Sequence, residues 1–220
     1  MIDKFLNIFD GLKAAYGTYK INGRDTKGKA TGKATVVKES RTTETWEAHL
    51  SGQQSIGIIP INEDNQCKWG CIDVDEYNFN HQELIERLRK AKLPLVVCRS
   101  KSGGAHVFLF TTEFIPAKDM QETLKRLAVS LGYGSCEIFP KQIVLHLERG
   151  DVGNFLNTPY FDHENGLRYA FKPDGTAATI EEFFDLYDQN VQTHEQVLAL
   201  KVEEDPDLPL KDGPPCLQML

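Results

Sequence analysis

Two aspartates separated by a single residue carry the strongest chemical signal in the sequence. Asp73 and Asp75 follow the apolar run at residues 69–72, which predicts a largely buried strand over residues 68–75. Because side chains alternate between the two faces of a strand, both carboxylates point the same way and repel each other. A divalent cation relieves that repulsion, and hard cations such as Mg²⁺ and Mn²⁺ prefer oxygen ligands. The pair therefore predicts a metal site at the end of this strand.

Groups suited to phosphate binding follow the aspartates along the chain. Arg99, Ser100 and Ser102 precede a diglycine turn at residues 103–104, and His106 comes just after it. Glycine lets backbone N–H groups approach a phosphate closely, and arginine and hydroxyl groups donate hydrogen bonds to it. Without the aspartates, an ordinary hairpin turn with a hydrogen-bonded histidine would explain this segment. Beside a metal site, it indicates phosphoryl or nucleotidyl transfer.

A further acidic residue follows on a short predicted strand. Glu137 alternates with Phe139 there, so it is either a third acid at the metals or a solvated residue at the end of the strand. Lys141, close behind it, is a candidate contact to phosphate or to a template strand. The residues alone leave both interpretations of Glu137 open.

Charge is unevenly distributed along the chain. The net charge of −7 over 220 residues gives no overall attraction to nucleic acid. Basic residues nevertheless concentrate between residues 20 and 41, within a segment rich in Gly, Lys and Thr that we expect to be a mobile loop over 17–42, with a short strand at 34–37. Such a run is either a solvated face or a sequence-independent contact to a phosphate backbone. The candidate DNA-binding residues are Arg24, Lys27, Lys29 and Lys33.

Cysteine usage and hydropathy exclude several classes of protein. The five cysteines are an odd number without a secretory segment, which argues against a disulfide framework. Cys67 and Cys71 do not have a zinc-site spacing and lack a second Cys/His pair. The apolar runs are too short to cross a membrane. The expected location is a reducing cytoplasm, that of a host cell if a phage encodes the chain.

The elements that must position these residues alternate between strands and helices. From residue 55 to 139 the predicted order is strand, strand, helix, hairpin, helix, strand, which indicates an α/β or α+β domain with a mixed sheet. Helices are predicted over 2–16, 43–52, 81–92, 116–131, 180–190 and 193–202, and strands over 55–60, 68–75, 94–99, 105–110, 137–139 and 143–147. We expect a catalytic domain at 1–190, then a helix and an acidic, Pro-rich tail or linker at 191–220.

The order of these motifs resembles the archaeo-eukaryotic primase superfamily, and in particular the primase-polymerases of phages and mobile elements. That family has a strand of hhhDhD type, similar to residues 71–75, and an S-x-H segment, similar to residues 100–106 in the R-S-x-S-G-G-x-H form. An acidic residue on a later strand completes the set. Glu137 takes that place, where many members have aspartate. The resemblance covers roughly residues 1–190.

The resemblance implies a fold and an activity. The fold is a core related to the RNA-recognition motif, a mixed or antiparallel sheet flanked by helices, with an N-terminal α/β part that completes a cleft. The activity is template-directed synthesis from dNTPs or rNTPs on single-stranded or primed DNA, with two Mg²⁺ or Mn²⁺ ions. By the family pattern Asp73, Asp75 and Glu137 hold the metals, and the triphosphate contacts are His106, Arg99, Ser100 and Ser102.

Two other functions use the same residues. A metal-dependent nuclease or phosphohydrolase needs the same carboxylates, and it would cleave nucleic acid without any nucleotide requirement. A non-catalytic DNA-binding module for replication initiation would bind through residues 20–41 and show no turnover. For the primase-polymerase, a helicase or primer-binding domain beyond this fragment is an expected partner.

Overall fold

The computed structural model describes residues 1–24, 30–76 and 78–201. Within these ranges the chain forms two four-stranded sheets and the helices that pack on them. The helices are α1 (Ile2–Ile8), α2 (Thr43–Leu50), α3 (His81–Lys90), α4 (Ala117–Ser130), α5 (Ile180–Asn190) and α6 (His194–Ala199). The strands are β1 (Tyr16–Arg24), β2 (Ala30–Val37), β3 (Ile56–Ile58), β4 (Gln66–Val74), β5 (Val96–Arg99), β6 (Ala105–Pro116), β7 (Glu137–Phe139) and β8 (Leu156–Asn157).

The first sheet corrects the prediction of a loop over residues 17–42. Its strand order is β2-β1-β3-β8, and β1 and β2 form a long antiparallel pair that starts with Tyr16 opposite Val37. At least one of the glycines that favoured a loop is instead required by the packing of a neighbouring side chain. A Cβ atom on Gly17 would lie 2.1 Å from the ring of Phe155, so this strand position needs glycine. The β-branched and aromatic residues between the glycines are typical strand formers.

The second sheet has the order β5-β6-β4-β7 and is antiparallel throughout, with β4 and β6 at its centre. Its two faces bury two different cores. Ile72 and Val107 belong to an aliphatic core that includes residues of α3, α4 and α6. Cys71 and Phe108 belong to an aromatic-rich core that includes residues of α1, α2 and α5. The sheet is therefore fixed from both sides, which makes its end a rigid platform for functional groups.

The predicted helices all form, and most of their boundaries follow from local capping. Thr42 and Thr45 make a reciprocal capping box at the start of α2, and the side chain of Asn80 caps α3. α1 ends earlier than the predicted residue 16. The chain after it contacts the residue that follows β3, where the N–H of Leu12 donates to the carbonyl of Ile59 at 2.9 Å.

The strand predicted over residues 143–147 is wrong. The apolar side chains of Ile143 and Val144 are exposed, and the N–H of Leu145 donates to the Asn65 side chain instead of to a strand. Instead of pairing with a strand, this segment leads into a short 3₁₀ turn at Leu147–Arg149.

The predicted α/β (α+β) fold class is confirmed. α6 packs against α4, and its Val197 is fully buried in the aliphatic core. The domain boundary at residue 190 stays a prediction, and the acidic tail lies outside the described residues. None of the helices in the described ranges is long and apolar enough to cross a membrane.

Candidate active site

Asp73 lies in the centre of a row of side chains across the second sheet. We call this row, which consists of His106, Asp73 and Glu137, the acidic row. Asp73 pairs directly with His106 on β6 on one side and with Glu137 on β7 on the other. Directly opposed residues of antiparallel strands point to the same face of the sheet. The three sequence motifs, which are far apart in the chain, therefore meet on one face of one sheet.

His106 and Asp73 are in direct electrostatic contact. The Nε2 atom of His106 is 3.4 Å from Oδ1 of Asp73, and the edge of the imidazole packs on the ring of Phe108. His106 is only 5% exposed, so its ring is held in one place by the surrounding side chains. A positioned imidazole beside a carboxylate can donate a hydrogen bond to an anionic ligand.

Asp75 is tied to the glycine-containing turn. It follows the last residue of β4, its side chain is exposed, and its Oδ1 accepts a hydrogen bond of 2.8 Å from the hydroxyl of Ser102. The Ser102 hydroxyl is in turn 3.1 Å from the hydroxyl of Ser100, which is 3% exposed. A chain of hydrogen-bonding groups thus connects the second aspartate with the predicted phosphate-binding residues.

The turn itself is fixed by Gly104. Its carbonyl accepts hydrogen bonds from the N–H of Ser100 and from Nε2 of His81, both at 2.9 Å. A Cβ atom on Gly104 would lie 2.1 Å from the carbonyl oxygen of Val74, so only glycine allows the turn to lie this close to β4. His81 belongs to none of the sequence motifs. Nothing in the sequence indicates its contact, because the contact depends on how α3 lies beside the turn.

Two basic residues flank the turn. Arg99 is the last residue of β5, and its guanidinium makes a long hydrogen bond of 3.5 Å to the carbonyl of Leu167. A Cβ atom on Gly103 would lie 3.4 Å from Nη2 of Arg99, so the guanidinium stays beside the turn, and its phosphate contact stays a prediction. The ammonium group of Lys101 lies 2.9 Å from the ring centroid of Tyr19 on β1. This cation–π contact links the turn to the first sheet.

Glu137 is paired with Lys141, whose Nζ atom lies 2.6 Å from Oε2. In this conformation, the described part of the chain contains no cluster of three or more His, Cys, Asp or Glu side chains placed to hold a metal ion. The backbone register nevertheless puts Glu137 next to Asp73, and an all-carboxylate donor set suits a hard divalent cation. Metal binding by Asp73, Asp75 and Glu137 stays a prediction.

The floor behind the acidic residues is chemically inert. Cys71 and Cys98 are buried, and burial raises the pKa of both thiols well above the usual value, with Asp73 adding to the effect on Cys71. Thiolates, not thiols, bind metals and attack electrophiles. These cysteines therefore act as small apolar side chains, and the chemistry is left to the carboxylates.

The candidate DNA-binding residues are only partly described. Lys33 is exposed on β2, at the edge of the first sheet, and Arg24 ends β1. Lys27 and Lys29 lie outside the described residues. An exposed lysine on an edge strand can contact a phosphate backbone, and it also discourages pairing with other strands.

The site and fold agree with the family to which the chain belongs. The model of the archaeo-eukaryotic primase domain of TOTE conflict systems matches residues 13–198, so the chain is a member of this family. This confirms the resemblance to the archaeo-eukaryotic primases and supports chemistry of the primase-type nucleotidyltransferase class.

Two solved structures are also similar at low identity. The catalytic domain of primase RepB′ in complex with initiator DNA is 11% identical, with a TM-score of 0.39 over 91% of this chain and 96% of that one. Primase RepB′ is 12% identical, with a TM-score of 0.41 over 86% of this chain and 61% of that one. No curated protein matches the chain.

Proposed function

We propose that the chain is a template-directed nucleotidyltransferase, a DNA primase and/or DNA polymerase that joins nucleoside triphosphates on single-stranded or primed DNA. The observation that carries the proposal is the register of the second sheet, in which Asp73 lies between His106 and Glu137. Membership of the primase family supports the same chemistry. Replication of a phage or mobile element is the expected setting.

The carboxylates would bind the cations that the reaction needs. Asp73, Asp75 and Glu137 would hold two Mg²⁺ or Mn²⁺ ions, which would promote attack by a 3′-hydroxyl and neutralise charge on the departing phosphates. In the present conformation Asp75 accepts from Ser102, and Glu137 pairs with Lys141. A carboxylate that turns to a cation leaves Ser102 or Lys141 able to contact a phosphate.

The turn side of the site would bind the triphosphate. The hydroxyls of Ser100 and Ser102 and the backbone of the glycine turn offer hydrogen-bond donors beside the acidic row. His106, held against Asp73, would donate to a phosphate oxygen and not act as a base, since the cations that the carboxylates would hold would lower the pKa of the attacking hydroxyl. These groups would hold the α-phosphate in line with the attacking oxygen.

The first test measures incorporation of a labelled nucleotide on a single-stranded template, with and without an annealed primer, in Mg²⁺ and in Mn²⁺. We expect product with the wild type and none with Asp73→Asn. Asp185→Asn, an exposed aspartate on α5, is the matched control and should be fully active. The lane without primer separates priming from extension.

Other results would favour the other two functions. Cleavage of the template without added nucleotide would indicate a nuclease that uses the same carboxylates. DNA binding by a folded protein, without product in any lane, would contradict an enzyme and favour a replication-initiation module. Near-normal extension by Asp73→Asn would refute the assignment of the metal site.

A further inference from the structure

Arg168 lies beside the candidate site, although it belongs to none of the sequence motifs. Residues 168–170 run antiparallel to β5: Ala170 bridges Cys98, and the N–H of Arg99 donates to the carbonyl of Tyr169 at 2.8 Å. Continuing this register by two residues puts Arg168 opposite Ser100. Arg168 thus extends the second sheet at the end that carries the turn.

The register also gives the face on which Arg168 lies. Ala170, Cys98, His106 and Asp73 are successive partners across the sheet, and directly opposed residues share a face. Alternation places residues two positions along each strand on that same face. Arg168 is therefore on the face of the acidic row, at the opposite edge from Glu137.

The guanidinium of Arg168 is partly desolvated and has no counter-ion in the described part of the chain. Burial lowers its pKa to about 10, and no carboxylate of the described residues forms an ion pair with it. It donates to the Ser55 hydroxyl at 2.8 Å and lies over the ring of Phe161. Among the described residues its other N–H groups have no acceptor, and none of these nitrogens is a fully buried atom without a partner, so they are open to solvent.

Arg41 is a structural arginine of the same fold, and its contacts can be compared with those of Arg168. Its guanidinium is also largely buried, but it lies 3.6 Å from Asp10 and donates to the carbonyls of Leu12 and Ala15. Arg168 is half-buried, lacks such partners among the described residues, and keeps N–H groups that are open to solvent and can reach an anionic ligand. The contrast indicates that the anion for Arg168 comes from outside the chain.

We propose that Arg168 binds the phosphates of the incoming nucleoside triphosphate, an inference that rests on the proposed function. A guanidinium matches phosphate oxygens with paired hydrogen bonds. With strands about 4.8 Å apart, the backbone of Arg168 is roughly 14 Å from that of β4. A long arginine side chain, a triphosphate and the cations that Asp73 and Asp75 would hold could together span a gap of this size.

The test measures binding separately from turnover. Equilibrium dialysis with labelled dATP in Ca²⁺, with tripolyphosphate as competitor, gives affinities for the nucleotide and for the phosphates alone. Fluorescence anisotropy gives the affinity for a single-stranded template. We expect Arg168→Gln to lower the affinity for dATP and the affinity for tripolyphosphate alike, by roughly tenfold to a hundredfold. The affinities of Arg168→Lys should lie between those of the wild type and Arg168→Gln. The affinity for the template should be unchanged in both variants. Arg89→Gln, an exposed arginine paired with Glu86, is the control.

Three results would overturn the inference: unchanged dATP affinity in Arg168→Gln, a loss confined to the template, or an equal loss in Phe161→Leu, which removes only the ring under the guanidinium. Thermal melts confirm that each variant is folded. The proposed function fails separately, when the folded wild type adds no nucleotide in any lane. If Asp73→Asn is inactive and Arg168→Gln binds dATP normally, only the role of Arg168 is wrong.

Discussion

His106 is the least exposed polar residue of the acidic row, and its surroundings define what it can do. Its Nε2 atom is 3.4 Å from Asp73, and its ring rests on Phe108. An imidazole held in this way has little freedom to carry a proton over a distance. It is well placed to offer a fixed N–H to a phosphate that lies beside the carboxylate.

We expect His106→Ala to act mainly on nucleotide binding. The apparent KM for dNTP should rise about tenfold or more, and kcat should fall less, because one hydrogen bond to an anionic group is lost. Steady-state extension of a primed template over a range of dNTP concentrations measures both constants. His146→Ala, an exposed histidine outside the acidic row, should leave both unchanged. An unaltered KM in His106→Ala would remove His106 from the nucleotide site.

The local sequence pattern predicts some of the site residues but not others. Asp73 and Asp75 were found because strand alternation is a property of the sequence itself. Glu137 needed the register of β7 on β4 before its neighbour was known. His81 and Arg168 gave no signal, because their roles arise from contacts between segments that are far apart in the chain. Residues that act through such contacts need the fold before they can be recognised.

At the scale of elements, the β1–β2 hairpin is the largest difference between expectation and structure. Glycine content argued for a loop, but paired strands tolerate glycine where another side chain fills the space, as Phe155 does at Gly17. The hairpin also reaches the candidate site, because Tyr19 on β1 lies against Lys101 in the turn. Contact with a nucleic acid along the hairpin would thus be next to the nucleotide.

Removing the ring of Tyr19 should loosen the turn. We expect Tyr19→Ala to raise the KM for dNTP several-fold, in line with about 1 kcal/mol for a cation–π contact, while Tyr19→Phe stays close to the wild type. Both variants are compared by extension kinetics on a primed template. If Tyr19→Phe is as impaired as Tyr19→Ala, the hydroxyl and not the ring face supports the turn. If neither changes KM, the contact has no part in nucleotide binding.

At the scale of the whole molecule, one buried histidine joins separate parts of the chain. His49 on α2 donates from Nε2 to the carbonyl of Pro159 at 2.8 Å, and its Nδ1 accepts from the N–H of Ile56 at 3.2 Å. Both nitrogens are used by the neutral ring, so a proton added at Nδ1 would break the contact with β3. Burial lowers the pKa of His49 to about 4.

The depressed pKa of His49 predicts acid sensitivity of the fold. In the unfolded chain the imidazole has its usual pKa of 6.5, so between pH 6.5 and about 4 the unfolded state binds a proton that the folded state does not. The contribution of His49 to stability is thus complete above pH 6.5 and is lost as the pH falls towards 4. At 1.36 kcal/mol per pKa unit, the loss is about 3 kcal/mol.

Urea unfolding at pH 7, 5 and 4 measures this loss, and His49→Gln separates it from the titration of other groups. Glutamine keeps a donor and an acceptor but carries no proton in this range, so the variant should be less stable than the wild type at pH 7 and lose about 3 kcal/mol less on acidification. Parallel pH profiles of the two proteins would contradict the assignment. The acid sensitivity of the fold would then have to come from groups other than His49.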